Sequence, residues 1–421
     1  MNDAEIQSAI LEMGRKARAA SHELVKLGTE QKNAILLAMA DEIDARAASI
    51  LAANAEDLSG ARERGLSSAM IDRLTLDTKG LAAISAAVRE VAALPDPVGE
   101  ELAAWTRPNG LHMIKKRVPI GVIGIIFESR PNVTTDAASL CFKTGNATLL
   151  RGGSEAIHSN VALASALQAG GERAGLPANS IQLIPFTDRS SVDHMARMDQ
   201  YMDLIIPRGG KGLIEKVVST ARMPVIKHYD GVCHIYVAPS ADQAMAIQVI
   251  LNSKTQKPGV CNALETLLVH EQIAAEFYPK LAEALRAASV EMRADETALR
   301  LLGAGALAAT EEDWHTEYLE RILSIKTVAS LQEAIRHINH YGSHHTDSIL
   351  TQDETEAACF MHEVDSAVVL HNASTRFNDG GEFGFGAEIG ISTDKLHARG
   401  PMGLAELCSY KYLVHGQGQV R

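Results

Sequence analysis

Apolar residues in the first part of the chain recur at helical spacing: Ile35, Leu36, Met39 and Ile43 share one face, and Ala, Glu, Arg and Leu dominate from Asp3 to about Leu94. Such a stripe predicts several amphipathic helices. Pro95-Asp96-Pro97 interrupts it, and Asn109-Gly110 supplies a turn signal between short alternating segments, which predicts a hairpin over 103–118. From Ile120 the period changes. Short apolar runs at 121–127, 147–150, 181–185, 204–206 and 234–237 alternate with Ala-rich helical stretches such as 159–174. Strands interleaved with helices of that length predict a parallel sheet wound with crossovers. A second alternation follows: a helix at 242–252, a turn at Pro258-Gly259, a strand at 265–269, a long helix at 271–287, a strand at 322–328, a helix at 331–338, and apolar runs at 348–350 and 367–370. The tail at 408–414 alternates as an edge strand does.

A chain of 421 residues, 46% of them hydrophobic, can bury large cores and is expected to divide into two or three domains. No apolar run is long enough to span a bilayer, and the first residues lack the basic end and apolar run of a signal peptide, so a cytoplasmic protein is expected. With 52 acidic against 40 basic side chains the formal charge is −12, which argues against a nucleic-acid surface. An anionic substrate would need a local cluster of donors against that field. The five cysteines are scattered and form no Cys-x-x-Cys pair, which argues against a disulfide framework or a zinc centre. His344-His345 with Asp347 is no better, because neighbours on a strand face opposite sides; no metal is expected.

The segment Gln256-Lys257-Pro258-Gly259-Val260-Cys261-Asn262-Ala263 sets a thiol just after a Pro-Gly turn. A cysteine so placed can be exposed and lie near unpaired backbone N–H groups, which favour a thiolate and later hold an oxyanion. The other reading of Cys261 is a small buried hydrophobe.

The surroundings resemble the aldehyde dehydrogenase superfamily over essentially the whole chain and in order. Val118-Pro119-Ile120-Gly121-Val122-Ile123-Gly124 looks like the strand entering that fold, Lys143-Thr144-Gly145-Asn146-Ala147 through Arg151 like its Gly-Asn-Thr-Val strand, and Glu317-Tyr318 through Lys326 like its Glu-x-Phe-Gly-Pro segment. The blocks 127–134, 257–266 and 384–392 look like the γ-glutamyl phosphate reductase branch. The resemblance implies an aldehyde dehydrogenase-like α/β fold with two Rossmann-type parallel-sheet domains. The cofactor-binding domain would take 1–102 and 119–236, and the catalytic domain 237–403. A small β element from 103–118 and 404–421 would mediate homo-oligomers, dimers or higher, its unpaired edges giving the motive.

It also implies reduction of γ-glutamyl phosphate by NADPH, through a thioester on Cys261, to glutamate 5-semialdehyde and phosphate in proline biosynthesis, with a glutamate kinase as a partner that could channel the substrate. Asn132 falls where the superfamily keeps its oxyanion donor; a structural Asn after a proline turn reads the same way. Hydrolytic members hold a glutamate base where this chain has Ile226-Lys227-His228-Tyr229-Asp230-Gly231, so Lys227 or His228 would bind phosphate, with Arg130 nearby in sequence to the oxyanion donor. The turn at Gly209 and Gly210 between strand and helix suits a pyrophosphate. Arg151, beside Ser154 in place of a ribose-binding glutamate, favours NADPH over NADH, while Glu155 opposes it. Glu317 would join the cofactor site. Glu388, Ser392, Thr393 and Arg399 lie in a Gly-rich segment suited to close over the substrate's α-groups. Rival readings are transfer to coenzyme A or water, or a non-catalytic scaffold.

Overall fold

The computed structural model describes residues 2–421, and the chain folds as two compact units. One comprises Met1–Lys227, Gly384–Gly390 and Met402–Arg421, the other His228–Phe383 and Ile391–Pro401. The chain therefore passes from one unit to the other after Lys227, Phe383, Gly390 and Pro401.

In the first unit the amphipathic stretch forms the helices Asp3–Leu24, Thr29–Ala45, Ala47–Glu63, Ser68–Leu74 and Thr78–Ala93. Their starts are capped as sequence dictates. Asn2 and Glu5 make a reciprocal capping box, and the Asp77 carboxylate accepts from Gly80 N–H. A four-stranded parallel sheet has the order Ile181–Leu183, Ala147–Arg151, Val122–Phe127, Leu204–Arg208. Every residue of Val122–Phe127 is buried, as an unbroken apolar run requires when helices cover both faces. The expected hairpin forms from Glu101–Thr106 and His112–Pro119, and the tail strand Cys408–His415 pairs with its second arm. The tail is anchored near its start: Asn146 Nδ2 donates to Leu407 O and Arg117 Nη1 to Ala405 O.

The second unit holds a seven-stranded sheet in the order Ala306–Ala308, Glu291–Ala294, Ile322–Val328, Leu264–His270, Cys233–Val237, Thr346–Leu350, Val368–His371. Every pairing is parallel. The strand Cys233–Val237 belongs here, next to Leu264–His270, and not at the end of the first domain as the sequence led us to expect. An apolar run announces a strand without announcing which sheet it joins. Likewise 384–390 and 402–403 cluster with the first unit, not the second. The short elements Glu291–Ala294, Glu296–Leu302 and Ala306–Ala308, and the crossover helix Glu354–Glu363, add to the expected alternation. His344 precedes the strand Thr346–Leu350 with φ 59°, so the opposite-faces argument does not apply to it. Asp347 instead accepts from both the backbone N–H and Nδ1 of His234.

Candidate active site

Leu264–His270, Cys233–Val237 and Thr346–Leu350 run side by side and parallel, so their N-terminal ends share one edge of the sheet. The segments entering those ends carry Cys261, His228 with Gly231, and His345. Ligands of open α/β sheets usually gather at the carboxyl ends of strands. Here the nucleophile candidate sits at the amino ends.

Cys261 lies half-buried on the loop between the helix Gln243–Thr255 and Leu264–His270. The loop is held at several points. Lys254, at its helical end, meets Glu265, at its strand end, with Nζ and Oε2 2.6 Å apart and both side chains fully buried. Desolvation pushes the Glu265 carboxyl up to about 7 and the Lys254 ammonium down, against their mutual attraction. Asn262 Nδ2 donates to Asn378 O, and Cys233 Sγ to Cys261 O. A Cβ on Gly231 would fall 1.9 Å from Cys261 O, so only glycine lets these two segments meet.

Around the Cys261 sulfur, one ring nitrogen each of His228 and His345 and the sulfur itself lie within 4.8 Å of one another. Nδ1 of His228 donates to Ile391 O at 2.9 Å, which leaves Nε2 as its acceptor nitrogen when the ring is neutral. His345 is fully buried, and burial, reinforced by His228, holds its ring well below the usual histidine range and so neutral. The remaining cysteines are poor nucleophiles. Burial pushes Cys141 and Cys408 up to about 12 and Cys233 well above its ordinary value, and the Glu363 carboxylate raises Cys359.

Glu317 accepts from Gly231 N–H at 3.0 Å, and burial pushes its carboxyl up to about 7. It therefore stands one residue contact from the Cys261 loop. Ser392 and Arg399 belong to a small hairpin in which Ile391–Ser392 pairs with Gly400–Pro401. Ser392 is fully buried and accepts from Asp394 N–H; Arg399 Nη2 donates to the Asp365 carboxylate, which Lys395 and Arg399 hold down to about 2. Both side chains shape the hairpin that carries Ile391 to His228.

The first unit holds the other expected residues. Arg130 stands in the turn before the helix Asn132–Lys143, where its carbonyl accepts from Val133 N–H. Asn132 opens that helix, and its Nδ2 donates to Asp136, whose carboxyl burial pushes up to about 6. Gly210 caps the helix Lys211–Thr220, but its N–H already donates to Glu128 Oε2, and a Cβ on Gly209 would lie 2.5 Å from the same carboxylate. A pyrophosphate at Gly210 has to displace Glu128. Arg151 is buried at its strand end, where Nη2 donates to Thr187 O and burial lowers its pKa. Ser154 is exposed one turn before the helix Ile157–Arg173, and Glu155 folds back against Gly153. Lys227 ends the first of the three segments of this unit.

Sequence reasoning missed His345, Cys233 and the Lys254–Glu265 pair. His345 reaches the site by strand pairing and no local spacing signals it. The pair was open to inspection, since two opposite charges flanking a candidate nucleophile loop at either end are visible in the chain.

The residues 3–301 match the aldehyde dehydrogenase family. The chain is 54% identical over 416 residues to a γ-glutamyl phosphate reductase of Geotalea daltonii, covering 99% of both chains. It superposes on the crystal structure of γ-glutamyl phosphate reductase from Thermotoga maritima with a TM-score of 0.96 at 48% identity, over 98% of this chain and 99% of that one. An acetylating aldehyde dehydrogenase of Geobacillus thermoglucosidasius shares the fold at 19% identity, with a TM-score of 0.69 over 100% and 99% of the two chains. By the match to the family and by these full-length relatives, the chain belongs to the aldehyde dehydrogenase family.

Proposed function

We propose that the chain reduces γ-glutamyl phosphate to glutamate 5-semialdehyde with NADPH, releasing phosphate, as a step of proline biosynthesis. The observation that carries this reading is the company Cys261 keeps: two imidazoles and no carboxylate within the cluster, on a chain 54% and 48% identical over nearly its full length to two γ-glutamyl phosphate reductases. The Cys261 thiolate attacks the acyl carbon. A C–S bond forms as the C–O bond to phosphate breaks, and phosphate leaves with the bonding pair. The nicotinamide cofactor, when bound, supplies a hydride. Collapse of the resulting thiohemiacetal breaks the C–S bond, returns the electron pair to sulfur and frees the aldehyde. His228, with its Nδ1 proton fixed on Ile391 O, presents Nε2 to take the thiol proton or, when protonated, to attract the phosphate. Asn132 and the backbone N–H of Cys261 serve the oxyanion in this reading, with Asp136 orienting the Asn132 amide.

The absence of a water-activating carboxylate in the cluster suits a thioester meant for hydride or phosphate. Arg151 and Ser154 favour NADPH, and Lys227, Arg130, Ser392 and Arg399 surround the substrate in the same reading. The three-stranded sheet, with Trp105, Tyr410 and Tyr412 exposed, would join copies of the chain into a homo-oligomer in the cytoplasm. No helix among the described residues is long and apolar enough to cross a membrane. The practical test runs backwards: semialdehyde, NADP⁺ and phosphate should give NADPH at a rate that depends on phosphate. Equal rates with coenzyme A, or without phosphate, would overturn the assignment.

A further inference from the structure

We propose that Cys261, His228 and His345 also form a zinc-binding site, at which the ion acts as a reversible inhibitor. Its effect on turnover rests on the reading of Cys261 as the nucleophile; the binding itself does not. The three ligand atoms lie within 4.8 Å of one another. Tetrahedral zinc with bonds of about 2.3 Å to sulfur and 2.0–2.1 Å to nitrogen separates its ligands by about 3.3–3.6 Å, so shifts of roughly an ångström complete the site. A thiolate with two imidazoles selects zinc over magnesium or calcium, which take oxygen.

An independent observation comes from His345. Its ring is fully buried, Nδ1 lies 2.7 Å from Thr346 Oγ1, and Nε2 has no hydrogen-bond partner among the described residues. A buried polar atom left this way is costly, and an ion that accepts its lone pair removes the cost. His228 is prepared in the manner of a metal ligand, since its other nitrogen is anchored on the Ile391 carbonyl. Binding replaces the sulfur proton with zinc, releases that proton to solvent, and ties up the electron pair needed for attack. The fourth position is left for water.

The experiment uses the full, reduced chain. Zinc affinity is read by competition with a chromophoric chelator, and cobalt(II) serves as the spectroscopic probe of a thiolate ligand. The expected result is one tight equivalent per chain, turnover falling in parallel and returning with a chelator, and a thiolate-to-cobalt band absent from Cys261→Ser. His345→Gln should weaken zinc binding by at least about 100-fold, the upper range for disturbing a ligand's support. His228→Gln, judged by affinity alone, carries the test if His345→Gln fails to fold. Unchanged zinc affinity in either folded variant overturns the site, as would binding at the surface pair His315 and His340 without a thiolate band. Persistent turnover in Cys261→Ser would instead overturn the nucleophile, leaving the affinity measurements to judge the zinc site.

Discussion

Lys254 and Glu265 close the Cys261 loop like a clasp: 2.6 Å apart and fully buried, they join the last turn of the helix that enters the loop to the first residues of the strand that leaves it. Removing one partner leaves the other fully buried without its counter-ion. Lys254→Met should therefore destabilise the protein by about 3–5 kcal/mol in urea unfolding, whereas Lys254→Met with Glu265→Leu should recover most of that loss. A double variant no more stable than the single one would show that the pair is not coupled.

Cys261→Ala should abolish turnover while leaving the fold and NADPH binding in place, because Cys261 is half-buried and its loop is anchored through other groups. Circular dichroism and cofactor titration check the second half. Residual turnover within about tenfold of the parent is incompatible with a covalent intermediate on this thiol.

Ser154→Glu should weaken NADPH far more than NADH. The position is exposed at the start of a helical turn, so the new carboxylate adds repulsion against a 2′-phosphate without disturbing the core. A like-charge contact of this kind is worth on the order of 1–3 kcal/mol. The ratio of kcat/KM for the two cofactors is the readout; if it stays fixed, the adenosine site is elsewhere.

Asp136 should leave a mark on stability against pH. Burial raises its folded pKa to about 6, above the ordinary value near 4, so between those values the folded chain holds a proton that the unfolded chain has lost. Stability then falls as pH rises from about 4 to 6 through this group. Asp136→Asn should flatten that part of the melting-temperature profile. A wild-type profile that rises through the window by the same amount as the variant's would remove Asp136 as the cause.

His228→Glu, with Lys227→Glu made in parallel, should weaken phosphate use in the oxidative direction and raise hydrolysis of the thioester, by about 10²–10⁴-fold where the new base is well aimed. The products, free glutamate against acyl phosphate, separate the two effects. Rapid glutamate formation by the unaltered enzyme without phosphate would defeat the argument from the missing carboxylate.

Much of the architecture is written in local periodicity. The helix Glu271–Ala287 and the strand Ile322–Val328 follow directly from it, and so do the hairpin and the tail strand, each taken by itself. The Pro-Gly turn before Cys261 is a local signal too, but a weak one alone, and it is the resemblance to the aldehyde dehydrogenase superfamily that points to this thiol. What periodicity does not carry is the identity of neighbours. Cys233 and His345 lie 112 residues apart and meet only because Cys233–Val237 and Thr346–Leu350 pair in parallel. The same gap explains the misplaced strand boundary near Cys233. Neighbours found only in the fold include Asp365, which accepts from Arg399, and Glu128, which accepts from the Gly210 N–H at a helix start; Ser392 accepts from Asp394 N–H within its own hairpin.

The way the chain weaves between its two units sets an order in time. Residues 402–421 belong to the first unit although the whole of the second unit precedes them along the chain. Until they emerge, the strand His112–Pro119 lacks its partner Cys408–His415, and the Asn146 amide lacks the Leu407 carbonyl. The amino-terminal half of the protein therefore waits, with an open strand edge, while the ribosome makes the whole of the second sheet. A truncation of a few dozen residues at the far end would reach back to the hairpin near the beginning, so the tail acts less as an appendage than as the closing stitch of the first unit.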